Sequence, residues 1–170
     1  MDFPEPAGMR IESASAADGP RLEEVRRLSV RRLAGGHYSG EERQAWIAYP
    51  LDALHAALSS GKGGVFVARR GERIAGLAWG TFGARPHLRS LYTHPGATGR
   101  GVGTCLLYAV EGYLRQLGAR HLYVAATLNA EPFYLRRGFS TCHEFALSLP
   151  AAGSRSVEFR LRKMDKRLRP

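Results

Sequence analysis

Cysteine is scarce in this chain: Cys105 and Cys142 are the two in 170 residues, too few for a disulfide framework. No apolar run approaches the roughly 20 residues that span a bilayer, so no membrane partner is expected. The amino terminus, MDFPEPAGMR, lacks the cationic stretch and apolar run of a secretory signal. Together these absences make the cytoplasm the default location. Lysine is nearly missing as well, since the 25 cationic side chains are almost all arginine. They face 15 acidic ones, for a formal charge of +10. A composition rich in arginine, alanine and glycine is what a GC-rich genome produces, and a basic surface also attracts phosphates and acidic partners. The six histidines are scattered without ligand spacing, so no metal is expected. No repeat or low-complexity linker suggests a second domain. A loose tail at residues 1–8 and one domain over residues 9–170, large enough for a substantial core, are expected.

The densest basic run, Arg160 to Arg169, invites a nucleic-acid reading. Val157, Phe159 and Leu161 alternate there with Glu158, Arg160 and Arg162, which is the pattern of a half-buried strand with a solvated face. No aromatic platform accompanies the charge, so a nucleic-acid partner is not expected. The same alternating strand, 156–164, is a candidate for pairing across a homodimer.

Period and punctuation organise the rest. Met9 to Ala14 alternates as a strand. Leu22, Val25, Leu28 and Leu33 have helical spacing within Asp18 to Ala34, and Gly35-Gly36 stops that helix. Further helices are read from Ser39 through Trp46 and over Leu51 to Leu58. Gly64 to Arg69 and Arg73 to Phe82 form a hairpin around Arg70-Gly71-Glu72. A strand at His87 to Thr93 precedes a helix striped by Val102, Leu106, Val110, Leu114 and Leu117 and ended by Gly118. A strand at Leu122 to Leu128, a short helix at Asn129 to Arg137 and two strands complete the chain.

Between the strand ending at Thr93 and the striped helix lie Gly99, Gly101 and Gly103. Glycines there let backbone N–H groups approach a ligand closely. The unpaired N–H groups and the dipole of the helix start favour an anion, phosphate above all. A dinucleotide site needs GxGxxG and a P-loop needs Gly-Lys-Ser or Gly-Lys-Thr; the run GRGVG fits neither.

The stretch Thr98-Gly99-Arg100-Gly101-Val102-Gly103 resembles the [QR]xxGx[GA] motif of the GNAT N-acetyltransferase superfamily, with Thr98 in place of the usual Gln or Arg. Leu91-Tyr92-Thr93-His94-Pro95 resembles the strand end that precedes it. Asn129, Phe133, Tyr134, Gly138 and Phe139 resemble the signature NxxxxFYxxxGF, with one residue fewer between Asn129 and Phe133, and with Asn129 as a helix N-cap, Pro132 in the first turn and Gly138 as the stop. The element order agrees with that family from residue 9 onward. The fold so implied is α+β, a mixed sheet of about seven strands with splayed central strands, flanked by helices.

The resemblance implies that acetyl-CoA is the donor substrate. Backbone groups of Leu91, Tyr92 and Thr93 would pair with its pantetheine arm, and the Leu91 N–H would face the thioester carbonyl, where it would stabilise growing negative charge. Thr98, Gly99, Arg100, Gly101, Val102, Gly103 and Thr104 would hold the pyrophosphate, with Arg100 free to add a cation. Asn129 and Phe133 would contact the cofactor from the other side. Tyr134 is the candidate general acid for the departing thiolate, since a phenol holds its proton at neutral pH. The family's frequent acidic base on the fourth strand is replaced by Arg89. His87, Glu41, Glu42 and Glu144 are the other options for a base, His87 on the assumption that it alternates onto the side of Arg89; a water relay, or a substrate amine of low pKa, would need no dedicated side chain. Arg89 would instead meet an acidic group on the acceptor. His37, Tyr38 and Trp46 are candidates for the acceptor pocket, although core packing is the plainer reading of Trp46.

The function implied is acetyl transfer to a primary amine of a small molecule or a protein. A CoA-binding sensor that has kept the fold and lost turnover is the alternative, favoured by Arg89 and Thr98. Free-thiol release with a panel of amines separates the two.

Overall fold

Residues 8–61 and 63–169 are described by a computed structural model. In chain order the elements are β1 (Arg10–Ser13), α1 (Gly19–Leu33), α2 (Gly40–Ala48), α3 (Asp52–Ser60), β2 (Val65–Arg70), β3 (Arg73–Thr81), β4 (His87–Thr93), α4 (Val102–Gln116), β5 (His121–Thr127), α5 (Glu131–Leu135), β6 (Ser140–Pro150) and β7 (Ser156–Arg167). The fold is α+β. Seven strands form one mixed sheet in the order β1-β2-β3-β4-β5-β7-β6. All neighbours are antiparallel except β4 and β5, which run parallel. The expected tail at residues 1–8 lies outside the described residues apart from Gly8. Met9, next to it, is buried in the core. No helix among the described residues is long and apolar enough to cross a membrane.

Each face of the sheet has its own cover. On one side the stripe of α4 (Val102, Leu106, Leu107, Val110 and Leu114) packs against Ala68, Ala78 and Leu88. Two glycines of β3 let that helix lie close. A Cβ at Gly76 would stand 2.9 Å from Leu106 Cδ1, and one at Gly80 would stand 2.5 Å from Val110 Cγ1. On the other side Leu22 and Val25 of α1 and Leu54 and Leu58 of α3 cover Val65, Val67, Ile74 and Leu77. A third cluster, with Ala34, Tyr38 and Ala45 against Leu149, Phe159 and Leu161, joins the α1–α2 corner to the β6–β7 hairpin.

Three readings need correction. The final strand is no edge: β7 lies between β5 and β6 and pairs with both, so its pairing groups are already used and it cannot zip across a dimer. The short helix begins at Glu131 with Ala130 at the N-cap position, so Asn129 caps nothing. Alternation along β4 is also broken. Trp79 faces Ser90 while Gly80 faces Leu88, which leaves Arg89 as the extra residue of a β-bulge. Leu88 and Leu91 consequently pack into the same cluster despite their odd separation. Counting alternate residues from Arg89 back to His87 therefore crosses the irregularity.

Candidate active site

The bulge marks where the sheet opens. β4 and β5 pair only at His87 with Tyr123 and Leu88 with Val124. Beyond Leu88 the strands diverge, and the β5-facing edge of Leu91 to Thr93 has no partner strand among the described residues. A cavity of about 310 Å³ occupies the opening. Leu91, Tyr92 and Thr93 line it from β4, Thr127, Asn129 and Ala130 from the end of β5, and Phe133 and Tyr134 from α5. Ser29, Val30, Leu33 and Ala34 of α1, Trp46 of α2 and Phe159 of β7 close its far side. Thr98 and Gly103 bring the glycine loop to its near end.

The loop continues into a second hollow of about 280 Å³ at the start of α4, lined by Thr93, Thr98, Gly99, Gly101 to Thr104, Phe133, Arg136 and Arg137. Its glycines serve different needs. Gly99 and Gly101 have φ of 75° and 81°, a region that side chains resist. Gly103 has ordinary backbone, but a Cβ there would meet the Phe133 ring at 3.3 Å and Thr93 Oγ1 at 3.5 Å. Thr98 donates its hydroxyl to the Pro95 carbonyl at 2.8 Å and so stiffens the turn before the loop. Arg100 is exposed and lines neither hollow.

The cations at this hollow are Arg136 and Arg137, which reading the sequence did not single out. Arg137 Nε donates to Thr104 Oγ1 at 2.9 Å and one terminal nitrogen to the Phe133 carbonyl at 3.1 Å, while the guanidinium lies 3.9 Å over the Phe133 ring. The pair sits in the unspecified xxx of NxxxxFYxxxGF, and one more arginine pair does not stand out in this composition.

Tyr134 is buried, boxed edge-on between Phe133 and Phe139 at centroid distances of 5.1 and 5.2 Å. Burial, and after it the neighbouring Tyr92 hydroxyl, push its pKa above the ordinary 10.0. Asn129, one turn of chain away, carries a buried Oδ1 with no hydrogen-bond partner among the described residues. A buried acceptor left unpaired is costly. Lining the cavity, it is suited to an N–H brought by a ligand.

The sequence model for the family described as "Acetyltransferase (GNAT) domain" matches residues 35–161, which is most of the chain. The protein belongs to the GNAT acetyltransferase family. It is an N-acetyltransferase. Among solved structures it is similar to the GCN5-related N-acetyltransferase of Rhodopseudomonas palustris, at 29% identity and a TM-score of 0.81, with 99% of each chain covered. It is also similar to the PaiA N-acetyltransferase of Thermoplasma acidophilum in complex with coenzyme A, at 22% identity and a TM-score of 0.73, with 94% of this chain and 98% of that one covered. A third is the ribosomal-protein-alanine N-acetyltransferase of Brucella melitensis, at 25% identity and a TM-score of 0.63, covering 94% and 99%. A search of curated protein sequences finds no significant match.

Within this GNAT domain the expected donor residues other than Arg100 line the two hollows, while several acceptor candidates stand apart. His87 lies at the closed end of the β4–β5 pair, with its Nδ1 2.7 Å from the Arg85 carbonyl, and it does not line the cavity. Arg89 is exposed on the bulge and donates to Thr81 Oγ1 at 3.2 Å. His37 is exposed on the α1–α2 turn, away from the lining. Tyr38 is buried, and its hydroxyl donates to the Arg160 carbonyl at 2.6 Å and accepts from the Leu128 N–H at 2.9 Å. Burial, ahead of every other influence, pushes its pKa up to about 12. Tyr38 thus braces the end of β5 next to Asn129 instead of reaching the cavity. Trp46 does reach it, and donates its indole N–H to the Tyr92 hydroxyl at 3.1 Å.

Proposed function

We propose that this GNAT enzyme moves an acetyl group from acetyl-CoA to a primary amine of a small molecule or protein by direct attack, with Tyr134 as general acid. The observation that carries the reading is the opening of β4 from β5, lined at once by an unpaired strand edge, the orphaned Asn129 Oδ1 and the glycine turn of α4. An extended pantetheine arm has the amide groups to pair with such an edge as an added strand would. The backbone N–H groups of the loop from Gly99 to Thr104, backed by Arg136 and Arg137, suit a pyrophosphate. The Leu91 N–H lies on the open edge, where a thioester carbonyl would meet it.

In the reaction the amine lone pair attacks the thioester carbon, the carbonyl oxygen gains charge that the Leu91 N–H stabilises, and the thiolate leaves with a proton from Tyr134. The sign of the Tyr134 shift fits that role in one respect and limits it in another. A raised pKa keeps the phenol protonated through neutral pH. It also makes the phenol a weaker acid, which argues for the lower part of the general-acid range of about 10²–10⁴ in rate. Tyr134→Phe is accordingly expected to lower kcat about 100-fold with little change in acetyl-CoA affinity. The wild-type rate should show no loss attributable to Tyr134 ionisation until above about pH 10. Unchanged turnover in Tyr134→Phe would remove the residue from this role. Binding of CoA without turnover of any amine would favour the sensor reading instead.

A further inference from the structure

Among the described residues, no carboxylate, imidazole, ammonium or guanidinium lines the cavity between β4 and β5. Its polar side chains are hydroxyls and the Asn129 amide, and its titratable groups are the phenols of Tyr92 and Tyr134. Four acidic side chains of the neighbouring elements, Glu41, Glu42, Glu131 and Glu144, are engaged elsewhere. Arg162 holds Glu131 at 3.2 Å and also pairs with Glu144. Arg155 holds Glu41 at 3.1 Å. Glu42 is tied into the cap of α2, accepting from the Ser39 N–H at 2.7 Å. Cationic acceptors would therefore meet no counter-charge in the cavity, and an ammonium would meet no carboxylate to take its proton.

The far wall is apolar and built around one ring. Tyr38 and Trp46 stack on Phe159 at 4.2 and 4.5 Å, tilted by only 4° and 3°, so both faces of Phe159 are covered and only its edge can front the cavity. Val30, Leu33 and Ala34 of α1 complete that wall. Edges of aromatic rings carry partial positive charge and favour the face of another ring. Above them the Tyr92 hydroxyl, already accepting from Trp46, keeps its own proton to donate.

We propose that the acceptor is a small, weakly basic amine on an apolar ring-sized body, an aniline-type amine, which enters the cavity uncharged. This rests on the reading that the same cavity takes acetyl-CoA. An alkylamine of lysine type, with a pKa of about 10.4, is neutral in only about one molecule in 2,500 at pH 7. Its ammonium form finds nothing here to offset desolvation. An aromatic amine needs neither a base nor a counter-charge to enter. Its nitrogen lone pair forms the N–C bond as the C–S bond breaks, with the bonding pair going to sulfur. Sulfur takes the Tyr134 proton, one N–H proton leaves the new amide nitrogen for solvent, and solvent reprotonates Tyr134. A neutral amine and a thioester give a neutral amide and a free thiol, so no charged group is left behind.

The test is free-thiol release by the wild-type protein with acetyl-CoA and two sets of amines: aniline and toluidine against benzylamine, spermidine and a lysine peptide amide. Acetyl-CoA binding is measured separately by calorimetry. At pH 7, kcat/KM for aniline is expected to exceed that for benzylamine by about 100-fold or more, to stay flat between about pH 6.5 and 9, and benzylamine to gain about tenfold per pH unit. Preference for benzylamine, spermidine or the lysine peptide would overturn the proposal while leaving the donor reading intact. So would acetyl-CoA binding with no turnover of aniline or toluidine. Failure to bind acetyl-CoA would overturn the donor reading, and this proposal with it. A second variant, Ser29→Asp, adds a carboxylate to the wall and should narrow the aniline-to-benzylamine ratio at least tenfold; an unmoved ratio in a folded Ser29→Asp protein would count against the proposal.

Discussion

Tyr38 ties three parts of the molecule together through a single hydroxyl. Its ring stacks on Phe159, its O–H donates into β7, and its oxygen takes the Leu128 N–H just before Asn129. Removing that oxygen takes this partner from the Leu128 N–H and the Arg160 carbonyl, both part-buried, so Tyr38→Phe is expected to cost about 1 kcal/mol in denaturant unfolding. Because Leu128 adjoins Asn129, acetyl-CoA affinity should weaken as well. A variant as stable as wild type would show that the brace carries no energy. The sequence suggested Tyr38 for the acceptor pocket and could not say that its hydroxyl was spent on backbone. Asn129 was legible as a motif residue, and its true distinction, an acceptor without a donor, appears only once the helix is seen to start after it. Arg136 and Arg137 were illegible for a different reason. Their meaning depends on α5 folding back against the glycine loop, a long-range contact that no local pattern encodes.

At the scale of elements, local chemistry decided most boundaries. β4 runs from His87 to Thr93 because Pro86 and Pro95 flank it, and α4 begins where the last positive-φ glycine, Gly101, releases it. The bulge at Arg89 was hidden, since a one-residue slip is a property of the pairing between β3 and β4 and not of either strand. The interior place of β7 was hidden too, because alternation reports which face a strand buries and not which strands lie beside it. The glycine loop makes the sharpest element-level prediction. Gly101 holds φ of 81° at the start of α4, and alanine in that conformation is strained by about 1–2 kcal/mol. Gly101→Ala should relax the turn, raise the acetyl-CoA dissociation constant about tenfold by calorimetry, and leave the Tyr134-dependent kcat largely unchanged. Equal affinity in the variant would separate the loop from phosphate binding.

In the proposed reaction, the whole molecule divides the work between two halves of one opening. Toward α4 lie the glycine turn and its arginines; toward α1, α2 and β7 lies an apolar wall without charge. The surface carries the excess of arginine seen in the composition, yet none of it lines the apolar half. The donor half was legible because its residues fall in two short contiguous motifs. The acceptor half was not, because α1, α2 and β7 each contribute one or two residues to it from distant parts of the chain. On the proposed function, acetyl-CoA lies in the opening beyond Leu88, from the strand edge to the glycine turn. Titrating the labelled protein with CoA and following its amide resonances tests this most directly. The backbone amides of Leu91 to Thr93 and Gly99 to Thr104 and the side-chain amide of Asn129 are expected to shift together and saturate at one ligand. Saturable shifts confined to another surface, with these resonances unmoved, would contradict it.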